Sequence, residues 1–282
     1  MTQARPATGQ PSAAQAFTRV VKDLHGQGRL RVWSIIISAL GDLALPRGAA
    51  LPASALQEVM DALGIEPGAV RTAISRLAKE GWITRDRDGR NISYKVAEAA
   101  VPEFDMASLV IYGSERPEPA GEPVLLIGPE VHELREGPCL IPLRRDAALA
   151  MGDLPKDLPE TTLALRGTVE AFPGWTADAL APAALAAQFQ GLETSFAPLS
   201  SALDGGDALG PVQAVAARVA LIHSWRRAVL RHAAVPSALL PRAWPEPACR
   251  RYVHNLYARL ATLATPWLDR HMPQDDKSVT KF

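Results

Sequence analysis

The chain has 282 residues, with 30 lysines and arginines against 30 aspartates and glutamates, and 48% of it is hydrophobic. This length predicts two or three domains, each large enough to close a core. No apolar stretch near the start reaches the ~20 residues of a membrane-spanning helix, and two cysteines, Cys139 and Cys249, are too few to staple the chain. We therefore expect a cytoplasmic protein and no membrane partner.

Overall neutrality hides a segregation of charge along the chain. Residues 1–100 carry 13 Lys and Arg against 9 Asp and Glu, residues 101–211 carry 6 against 17, and residues 212–272 carry 9 against 2. Because a nucleic-acid surface must present clustered positive charge, the first and third segments are candidates for it and the middle segment is not. An ordinary solvated surface is the alternative explanation for each imbalance.

Glycine, proline and apolar spacing divide the chain into five parts and predict an α+β fold. The parts are a flexible arm, three helices followed by a hairpin, a small α/β unit, a helical part and a tail, over residues 1–27, 28–100, 101–174, 175–272 and 273–282. Within the third part, short apolar runs at 108–112 and 124–127 stand between Pro, Gly and Glu clusters and predict strands.

Two short helices joined by a tight turn are predicted within the first hundred residues. Ser54 followed by Gln57 has the spacing of a capping box, so we expect a helix from Ser54 to Leu63, ended by Gly64. Pro67 suits the first position of the second helix, because its missing N–H has no helical partner there in any case. The inward face predicted for that helix is Val70, Ile74, Leu77 and Ala78.

The second helix leaves long cations and small hydroxyls on its outward face. Arginine can bind guanine edges bidentately in a major groove, and serine or threonine can contact bases or phosphates. A solvated face of ordinary charge is the alternative. The candidate DNA-binding residues on this helix are Arg71, Thr72, Ser75, Arg76 and Lys79.

A basic hairpin is predicted directly after this helix. Two runs of alternating character flank Asp88-Gly89, which is one of the stronger short hairpin signals. The hairpin carries Arg85, Arg87 and Arg90, which suit contacts with phosphates or the minor groove. Two helices followed by a basic hairpin predict a winged helix-turn-helix that binds double-stranded DNA.

Two separated groups of residues resemble the PaaX-type repressors of phenylacetate catabolism. The first group holds Arg31-Val-Trp33, Gly41-Asp42, Pro46-Arg47-Gly48, Gly64-Ile65, Val70-Arg71-Thr72, Arg76-Leu77, Glu80-Gly81-Trp82 and the stretch from Arg90 to Tyr94. The second holds Ile222-His223, Arg226-Arg227, Arg231, Pro236, Leu240-Pro241, Trp244-Pro245 and Tyr257. The resemblance implies a homodimeric bacterial repressor with a winged-helix domain, a ferredoxin-like middle domain and a helical C-terminal domain. It also implies an acyl-CoA effector, phenylacetyl-CoA.

A helix that begins near Pro211 places His223, Arg227 and Arg231 four residues apart, with Arg226 beside them. This stripe could hold the phosphates of a CoA ester, because arginine matches phosphate oxygens bidentately. It could equally pair with acidic residues of the middle domain or with the other subunit. The structural interpretation is favoured, since like charges four residues apart are often compensated by an acidic neighbour. These four residues are the candidate effector-binding residues.

The last helix is predicted around Cys249, a small buried hydrophobe. We expect Val253, Leu256, Leu260 and Leu263 on its inward side, and Arg250, Arg251, His254 and Arg259 on its outward side. Four aromatic residues, Trp225, Trp244, Trp267 and Tyr257, are expected to anchor the core.

Neither a cofactor nor a metal nor an enzymatic activity is predicted. The histidines and cysteine of the C-terminal part lack a recognised metal spacing, and the motifs of phosphate loops, nucleophile elbows and zinc proteases are missing. Two alternatives to an effector-released repressor stay open. One is an effector-independent DNA-binding regulator or architectural protein, and the other is a CoA-ester-handling enzyme that uses Cys139 or His223.

Overall fold

The computed structural model describes residues 11–26, 28, 30–89, 91–116, 118, 121–134, 140–152, 154, 157–171, 173–231, 235 and 237–273. The fold is α+β, with a helical N-terminal part, two small antiparallel sheets and a helical C-terminal part. The chain forms two compact units that interleave in sequence. The first draws on Met1–Ser108, Leu192–Arg226 and Tyr252–Phe282, and the second on Leu109–Gly191 and Arg227–Arg251.

The described residues include helices that we number in chain order. They are α1 (Ala13–Gly26), α2 (Val32–Ala39), α3 (Ala53–Ala62), α4 (Pro67–Lys79), α5 (Val101–Tyr112), α6 (Gly174–Leu180), α7 (Ala183–Asp204), α8 (Pro211–Val229) and α9 (Glu246–His271). The strands are β1 (Leu51–Pro52), β2 (Ile83–Asp88), β3 (Asn91–Val96), β4 (Val124–Ile127), β5 (Leu140–Arg144), β6 (Ala147–Ala150) and β7 (Leu163–Arg166).

Helix α1 occupies most of the segment predicted to be a flexible arm, so that prediction is wrong from Ala13 onward. The N–H of Ser12 donates to Gln15 Oε1 over 2.9 Å, and the N–H of Gln15 donates to Ser12 Oγ over 3.3 Å, which together form a capping box. The inward residues recur at helical spacing, but two of the five are alanines, which give only a weak apolar signal. They are Ala13, Ala16, Phe17, Val20 and Leu24.

The start of α3 differs from the prediction, whereas its end agrees with it. Helix α3 has no side-chain cap, because it begins at Ala53 with Pro52 at the N-cap, so that Ser54 already lies inside the first turn. Gln57 Nε2 instead donates to Asp61 Oδ1 over 2.6 Å. The capping box predicted at Ser54 is therefore wrong. Gly64 follows the helix with φ of 68°, a left-handed conformation that glycine adopts without steric cost. Pro67 is the first residue of α4, as predicted.

Helix α4 packs through Val70, Ala73 and Leu77, which are buried. Ile74 is half-buried and Ala78 is exposed, so the predicted inward position at Ala78 is wrong. The buried positions are three and four residues apart, and the stripe passes through Ala73 rather than Ala78. The opposite face of α4 is consequently left to solvent.

The first sheet has strand order β1-β3-β2, with all pairs antiparallel. Strands β2 and β3 form the predicted hairpin, and Asp88 pairs with Asn91 across a two-residue loop. The loop begins at Gly89, whose φ of 57° suits the tight turns that join twisted strands. Ile83 and Tyr94 are buried at the base of the hairpin, and the rest of β2 is exposed.

The second unit contains an antiparallel sheet of order β5-β6-β4-β7. Strand β4 confirms the prediction over 124–127. The strand predicted over 108–112 is wrong, because these residues complete α5, in which Phe104 and Ile111 are buried at helical spacing. Both faces of the sheet are apolar. One packs Val124, Leu126, Val131, Leu140 and Ala148, and the other packs Ile141, Leu149, Met151, Leu180 and Val235.

The C-terminal helices supply much of the core. Cys249 is a buried free thiol whose Sγ donates to the carbonyl of Phe189 over 3.5 Å, as expected of a small core residue. Arg250 was predicted to face outward but is only 2% exposed, because its Nε donates to Glu246 Oε1 over 2.8 Å. Its Nη1 also donates to two backbone carbonyls. The predicted core aromatics Trp225, Trp244 and Trp267 are buried, and Tyr257 is half-buried.

Candidate nucleic-acid interface

The outward face of α4 carries the predicted cations and hydroxyls, and all of them are exposed. They are Arg71, Thr72, Ser75, Arg76 and Lys79. Within the described part of the chain, Arg71, Ser75 and Lys79 make no hydrogen bond or ion pair through their side chains. Thr72 Oγ1 donates to the carbonyl of Gly68 over 3.0 Å. The helix thus presents three unengaged polar side chains, two of which are cationic.

Arg76 is held in place by two neighbours. Its Nε donates to Glu80 Oε1 over 2.7 Å, and its guanidinium carbon lies 5.3 Å from the centroid of the Trp33 ring. The ion pair is exposed and contributes little to stability on its own. Together, the two contacts orient the guanidinium while leaving its Nη groups available for a ligand.

The hairpin separates its charges onto two faces. Successive strand residues point to opposite sides, so Ile83, Arg85 and Arg87 share one face, and Asp86 and Asp88 lie on the other. Arg85 lies opposite Tyr94, and Arg87 lies opposite Ile92. The face that is buried at Ile83 therefore becomes cationic toward the tip of the hairpin. Arg90, which was predicted to contact DNA, lies outside the described residues.

The predicted effector stripe does not form one exposed surface. His223 is 1% exposed, and its Nδ1 lies 3.2 Å from Ser38 Oγ. Arg226 Nη2 donates to Ser34 Oγ over 2.7 Å and to the Ser34 carbonyl over 3.2 Å. Both residues therefore fasten α8 to α2 inside the first unit. Arg227 is half-buried and Arg231 is exposed, and both belong to the second unit.

A buried polar network joins the turn after α2 to helices α8 and α9. Arg218 Nε donates to Asp42 Oδ2 over 2.8 Å, and the Tyr257 hydroxyl donates to Asp42 Oδ1 over 3.0 Å. Burial, followed by repulsion from Asp42, raises the pKa of Tyr257 above its ordinary range, while Arg218 acts in the opposite direction. Asp42 lies in a π-helical turn, Leu40–Ala44.

The prediction from sequence did not identify Arg218, although a signal for it was present. A single cation stands in the run Ala214-Val-Ala-Ala-Arg218-Val-Ala-Leu-Ile222, where every residue is buried. Arginine is almost never fully buried without a partner, so a cation in such a run indicates a buried anion elsewhere in the chain.

Two further contacts support the helices next to the interface. Trp267 Nε1 donates to Glu58 Oε2 over 2.7 Å, which connects α9 to α3. Arg47 Nη1 donates to Asp269 Oδ1 over 3.1 Å and to the carbonyl of Met272 over 2.9 Å. These contacts belong to the first unit, as do those of Asp42 and Ser34. The segment that carries α4 and the hairpin therefore packs against α8 and α9 as part of the first unit and does not form a separate domain.

No helix among the described residues is both long enough and apolar enough to cross a membrane. In the same part of the chain, no group of three or more His, Cys, Asp or Glu side chains is arranged to hold a metal ion.

Two family models match the two stretches that these contacts join. The model described as PaaX-like protein matches residues 31–100, and the model described as PaaX-like protein C-terminal domain matches residues 181–270. The chain belongs to the PaaX-like family. The resemblance drawn from the sequence is thus confirmed. Asp42 lies in the first matched stretch of this PaaX-like chain, and Arg218 and Tyr257 lie in the second.

A curated relative and a solved structure each match more than four fifths of the chain. The curated relative named Transcriptional repressor PaaX, from Escherichia coli (strain K12), is 29% identical, and the match covers 82% of this chain and 81% of the relative. A solved structure titled Uncharacterized protein Rv0674 from Mycobacterium tuberculosis superimposes with a TM-score of 0.52 at 18% identity. That match covers 83% of this chain and 97% of the other, and it shows similarity of fold.

Proposed function

We propose that the chain is a cytoplasmic transcriptional repressor that binds duplex DNA through α4 and the β2–β3 hairpin. The observation that carries the proposal is the exposed face of α4, on which no described residue engages the side chains of Arg71, Ser75 and Lys79. A hairpin follows directly, and its Arg85 and Arg87 share one face. Membership of the PaaX-like family supports it, since a curated relative is named a transcriptional repressor. Regulation, and not catalysis, is the function that these observations favour.

The order of elements supports a winged helix-turn-helix. Helix α2, strand β1, helices α3 and α4, and strands β2 and β3 follow one another, and β1 joins the sheet beside β3. In such a domain the second helix of the pair enters the major groove and the hairpin lies along the backbone. In the second unit, the strand order β5-β6-β4-β7 with antiparallel pairing is the order of a ferredoxin-like sheet, and we include that assignment in the proposal.

The proposed roles divide base contacts from phosphate contacts. Arg71 and Ser75 read base edges, because their side chains are exposed and uncommitted on the face of α4. Arg76 is oriented by Trp33 and Glu80 toward a fixed position on the duplex. The remaining cations, Lys79, Arg85, Arg87 and Arg90, neutralise phosphates and supply salt-dependent affinity, with Thr72 as a further hydroxyl of the same face.

The proposal includes a homodimer and an effector. Two copies reading two half-sites, about one helical turn or a multiple of it apart, give the affinity that one small domain lacks. An acyl-CoA thioester, phenylacetyl-CoA in the family that the chain resembles, lowers the affinity for DNA by favouring another arrangement of the two reading helices. Linkage requires that DNA lower the affinity for the thioester by the same factor.

Binding of selected DNA tests the proposal. A duplex enriched from a random library by the wild-type chain is titrated with protein, and fluorescence anisotropy is measured with and without phenylacetyl-CoA. We expect sequence-specific binding by a dimer, and release when the thioester is added. Failure to enrich any sequence would contradict the repressor, whereas specific binding that no thioester weakens would favour an effector-independent regulator.

A further inference from the structure

A cavity of about 690 Å³ lies within the second unit, between the loop after α5, the loop before α9 and the first turns of α9. Its volume is typical of sites that hold a drug-sized or cofactor-sized ligand. Four arginines contribute to its lining, namely Arg116, Arg242, Arg250 and Arg251. The cavity is independent of the α8 stripe that the sequence suggested as an effector site.

The arginines of the cavity fall into two classes. Arg250 is buried and committed to Glu246 and to backbone carbonyls, and burial lowers the pKa of the Arg116 guanidinium. Arg242 and Arg251 are exposed, and neither makes a hydrogen bond or ion pair with any residue that the structure describes. No described residue therefore engages the donors of these two guanidinium groups, which can bind an anion at the cavity.

One buried acceptor in the cavity wall is unsatisfied. Glu246 is 1% exposed, and its Oε1 accepts from Arg250 Nε over 2.8 Å. Its Oε2 is buried and has no hydrogen-bond partner among the described residues. Because a buried carboxylate oxygen without a donor is costly, a ligand that brings an N–H or O–H group to this wall would be favoured.

Part of the remaining wall is apolar. It is formed by Leu240, Pro241, Trp244 and Pro247. Trp244 is fixed by an edge contact with Phe189, with ring centroids 6.0 Å apart. Two acidic residues of the loop after α5, Glu115 and Glu118, also line the cavity, and Glu118 is engaged by the N–H and the hydroxyl of Ser237. The cavity thus combines free cations, a buried acceptor and an apolar wall.

We propose that this cavity binds the anionic effector, with phosphate groups on Arg242 and Arg251, an amide N–H on Glu246 Oε2 and an apolar group against Trp244. A CoA thioester carries all three features in one molecule: phosphates, pantetheine amides and an acyl chain. The inference rests on the proposed function for the identity of the ligand as effector. The site follows from the cavity itself and lies on other residues than His223, Arg226, Arg227 and Arg231.

Calorimetric titration of the full chain without DNA tests the site. The probes are phenylacetyl-CoA, free CoA and phenylacetate, applied to the wild type, to the R242A/R251A double variant and to R145A. Arg145 is the matched control, because it is an exposed arginine of the same unit outside the cavity lining. We expect CoA and its thioester to bind the wild type and R145A equally, and the double variant at least about tenfold more weakly. Phenylacetate alone should bind weakly or not at all.

Three results would overturn the cavity as the effector site. They are unchanged affinity in the double variant, an equal loss of affinity in R145A, and no binding of either CoA compound by a folded wild-type chain. Circular dichroism of each variant, compared with the wild type, shows whether the folded state is retained. DNA binding is measured separately by anisotropy. If the titrations contradict the cavity site while the wild type still binds DNA, the proposed repressor function is unaffected. If the wild type does not bind DNA, the proposed function is contradicted.

Discussion

Arg218 and Asp42 form an ion pair in the interior of the first unit, with Arg218 Nε 2.8 Å from Asp42 Oδ2 and side chains that are 9% and 0% exposed. Arg218 Nη2 also donates to the Asp42 carbonyl over 3.0 Å. The pair joins α8 to the π-helical turn that extends α2, and so connects the two stretches matched by the family models. The strength of this ion pair determines how firmly the segment that carries α4 and the hairpin is supported.

Removing one partner should be costly. Arg218→Met keeps an apolar stem but leaves the Asp42 carboxylate buried without its cation, although the Tyr257 hydroxyl still donates to it, which should lower the free energy of unfolding by about 3–5 kcal/mol. Asp269→Asn is the control, because it breaks an ion pair whose acid is 57% exposed, and it should cost no more than about 1 kcal/mol. Urea unfolding measures both. Equal losses in the two variants would contradict a supporting role for the buried pair.

Tyr257 should make the chain less stable at high pH. Its pKa is raised above the ordinary 10.0, so the folded state keeps a proton that the unfolded chain loses. Stability is therefore fully present below pH 10 and falls as pH rises above it, by up to about 1.4 kcal/mol per pH unit.

Tyr257→Phe isolates this effect. The variant should be about 1–3 kcal/mol less stable at neutral pH, because Arg218 and Asp42 lose a partner, but it has no phenol to titrate. Urea unfolding at about pH 8 and at about pH 11 should thus show the difference from wild type shrinking as pH rises. A constant difference would show that the phenol keeps an ordinary pKa, and a growing difference would show that its pKa is lowered; either result would contradict the prediction.

Helix α1 should contribute to the stability of the first unit. Phe17 is buried, and Asp23 Oδ2 accepts a hydrogen bond from Ser195 Oγ over 2.7 Å, which ties α1 to α7. Phe17→Ala should lower the free energy of unfolding by about 3–5 kcal/mol, whereas Lys22→Ala, an exposed change on the same helix, should stay within about 0.5 kcal/mol. Thermal and urea unfolding measure both variants. A Phe17→Ala variant with an unchanged free energy of unfolding would instead support the prediction of a flexible arm.

The sequence predicted the parts of the chain whose signals are local. Gly64, Pro67 and the Asp88-Gly89 turn mark boundaries because backbone geometry depends on the residue itself. It failed where tertiary packing decides the outcome. Two of the inward residues of α1 are alanines, which weaken its apolar pattern, and α5 resembled a strand because its last turn is a run of large apolar residues.

The same distinction between local and distant determinants applies to the site residues. Outward positions on α4 follow from helical periodicity, so their exposure could be predicted. The burial and the hydrogen bonds of the α8 side chains could not be predicted, because they depend on serines that lie far away in sequence. Ser34 and Ser38 engage Arg226 and His223, and the partner of Arg218 lies 176 residues away. The cavity before α9 likewise needs two distant loops.

The hairpin arginines should act on affinity without choosing sequence. Arg85→Ala and Arg87→Ala should each weaken binding to specific and random duplexes alike and reduce the slope of log affinity against log salt by about 0.9. Lys95 lies opposite Thr84, on the face that carries Asp86, and is the control. Lys95→Ala should change the slope less than either arginine variant. Equal effects of all three would contradict the division of the hairpin into a DNA-facing side and a solvent-facing side.

The central claim is that the outward face of α4 reads bases. The most direct measurement is the affinity of wild type and Arg71→Ala, by anisotropy, for a set of duplexes that each change one base pair of the selected site. We expect the wild type to lose about 1–3 kcal/mol at the pair that Arg71 contacts, and Arg71→Ala to lose discrimination at that pair alone. Arg19→Ala, on the exposed side of α1, should discriminate like the wild type. Full discrimination by Arg71→Ala at every position would contradict the claim.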